Sequence, residues 1–156
     1  VAMSAERLRE FLDQNGVKYV VTRHSTAFTA QEVAAAAHIP GRAMAKTVMV
    51  KLGGELAMVV VPASGRVDLK RLHQLTGEPV ELASEAEFRA AFPDCEVGAM
   101  PPFGNLYGVA VYVAGELGRN PSIAFNAGSH RELMQMQYDD FVRLVKPRIV
   151  ELAYAR

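Results

Sequence analysis

AKTVMVKLGGELAMVVV, residues 45–61, is two apolar runs joined by Gly53 and Gly54, with one charge, Lys46, near the start of the first. Val, Thr and Met fill the first run and Leu, Met and Val the second, a composition that predicts two buried strands. A Gly-Gly pair takes the positive φ values of a tight turn, so the strands are expected to pair as an antiparallel hairpin. Side chains two apart share a strand face, which puts Lys46 in line with the core-type Val48 and Val50. Desolvation disfavours an ammonium. Three arrangements fit: a stem that snorkels to solvent, an anionic partner, or a charge held for a ligand.

Around this hairpin the 156 residues are half apolar, and 17 Lys plus Arg balance 17 Asp plus Glu. That length predicts one domain with one core, residues 1–156. Zero net charge removes binding driven by total charge, so contact with nucleic acid would need a local patch. The single cysteine, Cys95, leaves no internal disulfide or multi-cysteine metal site, and no apolar run approaches the roughly 20 residues of a membrane span. The expectation is a soluble cytoplasmic protein.

Before the hairpin, Leu8, Phe11 and Leu12 predict an amphipathic helix over 4–15, with Ser4 as N-cap and Gly16 as its stop. A short strand follows at 18–23. Thr29-Ala30-Gln31-Glu32 is a capping box and opens a second helix, which ends before Pro40. After the hairpin, 62–67 reads as a turn. Asp68 caps a short helix ended by Gly77, and Ser84 to Glu87 is another capping box. The run PDCEVGAMPPFGNL, 93–106, predicts a stiff loop. Strands are expected at 109–113, 122–125 and 133–137, a helix at 138–145 and a tail strand at 149–152. With six or seven strands that do not alternate regularly with helices, the fold class is mixed α/β with a mostly antiparallel or mixed sheet.

Phosphate-loop, dinucleotide, zinc-protease, paired CxxC and nucleophile-elbow motifs are all missing from the sequence, and the four histidines lack ligand spacing. Two loops carry what chemistry there is. In GAMPPFG, 98–104, the glycines allow close backbone approach while Pro101-Pro102 stiffens the loop; a plain strand connector fits equally. In FNAGSH, 125–130, a strand end delivers small polar groups into a turn.

AMAKTVMVK with its Lys46, GAMPPFG and IAFNAG, in this order, resemble the YbaK and prolyl-tRNA-synthetase-associated editing domain, and HSTAFTAQEVA at 24–34 extends the resemblance over nearly the whole chain. The resemblance implies a mixed fold on a central barrel-like sheet with peripheral helices. It implies a metal-independent hydrolase, without cofactor, that clears small amino acids wrongly attached to tRNA. Lys46 matches the strand lysine needed for activity, and Gly98 and Pro102 match the ends of a GxxxP loop at one side of the pocket. Asn126, Ala127 and Gly128 match the turn opposite, and His130 a histidine that helps select the amino acid. Met100, Pro101, Phe103, Ser129 and Phe28 complete the expected substrate contacts, with Met44 as a further candidate wall.

The activity implied is trans deacylation of an alanyl, seryl, threonyl or cysteinyl ester on tRNA for proline or a related tRNA. The partner implied is the acceptor end, with a synthetase as a second candidate. Arg66, Lys70 and Arg71, and Arg143, Lys146 and Arg148, are two basic groups that serve as phosphate contacts or as solvated helix faces. Two rival readings stay open: a module that holds aminoacyl-tRNA or a synthetase without hydrolysis, and a hydrolase of other small aminoacyl esters or amides.

Overall fold

The computed structural model describes residues 3–23, 29–96, 98–151 and 153–155. The hairpin is its centre: β2 (Ala45–Leu52) and β3 (Glu55–Pro62) pair antiparallel over their full length, and Gly53 and Gly54 turn with φ of 60° and 87°. β3 is buried from Ala57 to its end because both its faces are covered. Met58 and Val60 face the main core; Ala57, Val59 and Val61 face Leu72 of α3 (Leu69–Thr76). A strand buried on both sides reads as an unbroken apolar run, as 56–61 does.

The other elements in chain order are α1 (Met3–Gln14), β1 (Tyr19–Arg23), α2 (Ala30–Ala36), β4 (Gly65–Val67), β5 (Val80–Leu82), α4 (Glu85–Ala91), β6 (Ala110–Ala114), β7 (Ser122–Asn126), β8 (Glu132–Gln137), α5 (Tyr138–Val145), β9 (Arg148–Val150) and β10 (Ala153–Ala155). The larger sheet has the order β5-β2-β3-β6-β9, with β6 parallel to both β3 and β9. The smaller, β1-β8-β7, is antiparallel throughout, and β4 pairs with β10. A parallel bridge between Met44 and Ala124 brings the start of β2 to β7.

The mixed α/β class holds, but the sheets do not close into a barrel. The three-residue strands β4 and β5 are too short to show alternation, and β4 lies inside the expected 62–67 turn. α1 starts at Met3, so Ser4 lies within it rather than capping it. The caps at Thr29, Asp68 and Ser84 form as expected, and Gly77 ends α3 in the left-handed region. Of the tail strand at 149–152, Leu152 lies outside the described residues; β9 covers 148–150.

Aromatic packing anchors the proline loop. Phe103 is fully buried, its ring 5.6 Å from those of Phe125 and Phe141. Gly104 follows because nothing larger fits: a Cβ there would press into Val109 O and lie 2.6 Å from Val111 Cγ2. At the sheet's other end Lys51 Nζ meets Glu87 Oε2 at 2.9 Å. The Ser84 backbone amide, that ammonium and the Ser84 hydroxyl hold the Glu87 carboxyl down to about 2.

Gly104→Ala should therefore lower stability by about 1–3 kcal/mol in denaturant titration, through overpacking. The Glu87 pKa is lowered on folding from an unfolded value of about 4.3, so its stabilisation is complete above that pH and is lost as pH falls towards 2. Glu87→Gln should flatten melting temperature against pH across this window.

Candidate active site

β5 pairs with β2 only at Val50–Leu52, so among the described residues no strand is paired with the edge of β2 from Lys46 to Val48. Ala83 N donates to Met49 O and Gly53 N to Pro79 O, so odd-numbered residues of β2 turn their main-chain groups away from β3. By that alternation Thr47 presents its N–H and C=O at the open edge. A cavity of about 500 Å³ lies along this edge, lined on the β2 side by Ala45, Lys46, Thr47 and Val48.

Lys46 shares its strand face with Val48 and Val50, as read from the sequence, and is half-buried beside Val61. Its ammonium donates to Gly65 O at 2.8 Å, across to β4. That carbonyl helps to orient the ammonium. Lys46 thus lines the cavity half-buried, with its ammonium held by a hydrogen bond.

Two loops form the far wall, and they are laced together. Glu96 N donates to Gly128 O at 2.8 Å and Gly128 N to Ala99 O at 2.9 Å, while Glu96 Oε1 accepts from His130 N at 3.0 Å. Gly98 has φ of 83° and Gly128 of 101°, both in the region that glycine enters without strain. The His130 ring packs against Gly98, where a Cβ would lie 3.6 Å from His130 Cε1. This lacing turns Gly98, Met100 and Asn126 into the cavity.

Asn126 is 8 % exposed, and its Oδ1 is buried without a hydrogen-bond partner among the described residues. The carboxamide is therefore held by packing. Its other end is a donor.

Four of the expected site residues, Lys46, Gly98, Met100 and Asn126, line the one cavity. The others do not line it. Pro101, Pro102, Phe103 and Ala127 are buried in the support behind it, Phe103 and Ala127 within the main core. Gly128, Ser129 and His130 form the laced turn, Ser129 Oγ accepting from Arg131 N at 3.2 Å. Met44 is fully buried in the small core under α2, and Phe28 lies outside the described residues.

The sequence reading did not single out Thr29, Ala30, Gln31, Thr47 or Ala63 as site residues, yet all line the cavity. The capping box marks where α2 begins, and Thr29 Oγ1 accepts from Glu32 N at 3.0 Å; nothing local shows that this end meets β2. Cys95 is not a lining residue. Its Sγ is 3.6 Å from Tyr107 Oη, a hydroxyl whose pKa burial pushes up. No group of three or more His, Cys, Asp or Glu among the described residues is placed to hold a metal ion, and no helix among them is long and apolar enough to cross a membrane.

Solved structures share this fold at low identity. A candidate trans-editing enzyme for prolyl tRNA synthetase superposes with a TM-score of 0.84 at 23% identity, covering 99% of both chains. The hypothetical protein APE2540 superposes at 0.86 and 19% identity, over 95% of this chain and 99% of its own. A chain from computational grafting of linear epitopes onto scaffold proteins superposes at 0.85 and 22% identity, over 99% and 100%. No curated protein matches the sequence. The model of the aminoacyl-tRNA editing domain matches residues 24–144, which include all four lining residues expected from the sequence, and the chain belongs to that YbaK-type family.

Proposed function

We propose that the protein is a trans-acting deacylase that hydrolyses the ester of a small mischarged amino acid, Ala, Ser, Thr or Cys, on tRNA for proline or a related tRNA. The observation that carries this reading is the shared cavity, in which a half-buried cation faces a glycine loop and a side-chain amide. Water attack on an ester carbonyl develops negative charge on oxygen, and preorganised donors favour it.

The donors follow by elimination along the loop. Pro101 and Pro102 have no N–H. Ala99 N is engaged with Glu96 O and Phe103 N with Pro101 O. Of the loop residues whose amides donate to none of the described residues, Gly98 and Met100 line the cavity and serve as donors to the oxyanion, and Lys46 supplies the positive charge opposite, to the ester carbonyl or the terminal phosphate. Among the described residues no Ser-His or Cys-His pair lines the cavity, and in this reading the substrate's own ribose hydroxyl or α-amine activates the water. Asn126 Nδ2 donates to the substrate beside them.

Size sets the specificity. Ala30, Ala45 and Ala63 leave room along one wall and Met100, 4 % exposed, closes the other. A rigid wall rejects a larger side chain by clash, whereas one methylene of apolar fit is worth only about 1–3 kcal/mol.

In single-turnover assays on a panel of alanyl-, seryl-, threonyl- and cysteinyl-tRNA, at least one ester should release free amino acid; protection of all four would instead favour the non-catalytic binding module. Lys46→Ala should slow the cleaved ester about a hundred- to thousandfold, and a wild-type rate would refute the role of Lys46. Met100→Ala should raise the rate on a valyl ester relative to an alanyl ester by about tenfold.

A further inference from the structure

Next to the site lies a second cavity of about 170 Å³, lined by Arg42, Pro62, Ser64, Glu116, Arg119 and Asn120. The two meet at 62–64, since Ala63 lines the larger cavity while Pro62 and Ser64 line the smaller. The carbonyl that holds Lys46 Nζ belongs to Gly65, one residue beyond Ser64.

The two arginines come from distant parts of the chain and are held together. Arg42 sits in a 3-10 turn, Gly41–Ala43, and Arg119 ends another, Gly115–Arg119. Asn120 Nδ2 donates to Arg42 O at 2.9 Å and to Leu117 O at 3.2 Å, which fastens one turn to the other. Gly41 lets the Ser64 turn close in, since a Cβ there would lie 3.3 Å from Ser64 Cβ.

Both guanidinium groups are on exposed residues, and neither forms an ion pair among the described residues, although Glu116 lines the same cavity. Two arginines against one carboxylate leave a net positive seat. Arg119 and Glu116 also line a neighbouring hollow with Glu151, where two carboxylates against one arginine disfavour a second phosphate.

Building on the deacylase reading, we propose that Arg42 and Arg119 seat a single backbone phosphate of the tRNA acceptor strand, close to the ester-bearing end. A planar guanidinium fork matches phosphate oxygens in pairs, and the Ser64 hydroxyl adds a donor. The seat fixes where the strand enters. Lys46 then serves the ester rather than the strand.

The test uses the double variant Arg42→Gln/Arg119→Gln with two probes: an uncharged acceptor-stem minihelix, for affinity, and 3′-O-alanyl adenosine, an ester with no phosphate, for hydrolysis. Minihelix affinity should fall about tenfold per arginine, and the slope of log affinity against log salt should shrink by about 0.7. Ester hydrolysis should stay within about twofold of wild type. Unchanged minihelix affinity, or an equal loss with both probes, would overturn the seat. If the wild type releases amino acid from none of the four aminoacyl-tRNAs while the affinity loss appears, the deacylase reading fails and the seat stands. If ester cleavage is normal and affinity is unmoved, the seat fails alone.

Discussion

The arrangement depends on two backbone hydrogen bonds, Glu96 N to Gly128 O and Gly128 N to Ala99 O, which join the proline loop to the turn after β7. Neither segment is regular structure, and neither could hold its shape alone. Joined, they satisfy each other's polar groups, and Phe103 and Ala127 drop into one core behind them. The positive φ of Gly98 and Gly128 is what lets the chain follow this path. A side chain at either position would strain the lacing, and with it the positions of Met100 and Asn126.

Against this wall stands the open edge of β2. Sheets normally cover or blunt an edge, because unpaired amides and carbonyls invite pairing. Here β5 covers Val50–Leu52 and stops, which leaves Thr47 with backbone donor and acceptor facing the cavity. The hairpin register determines the rest, since Lys46 opposite Val61 must run its stem along an apolar face to reach Gly65 O. A one-residue slip would turn the ammonium to the other face of the sheet. Fold and charge placement are therefore one constraint.

What the sequence makes legible follows from how local each signal is. The hairpin, the three caps and the αL glycine after α3 depend on residues within a few positions of one another, and all form as read. The cavity's second half does not. Thr29 and Gln31 reach it because α2 packs on Met44, Ala63 and Ala124, contacts between distant positions that no periodicity encodes. Pro101 and Phe103 illustrate the opposite: a loop motif marks a site, but its apolar members shape the loop from inside the core. The parallel pairing of β3 with β6 was likewise beyond local pattern, and it is what makes the sheet mixed and leaves it open.

The account stands on one spatial claim, that the amino acid ester lies between the edge of β2 and the laced loops. Amide chemical-shift mapping with a non-hydrolysable analogue, 3′-alanylamido-adenosine, tests it most directly. The account predicts that the largest shifts fall on Lys46, Thr47, Gly98, Met100 and the Asn126 side-chain amide, with little change on the outer face of β1 and β8. Saturable shifts centred on any other surface, with these five groups unmoved, would contradict it.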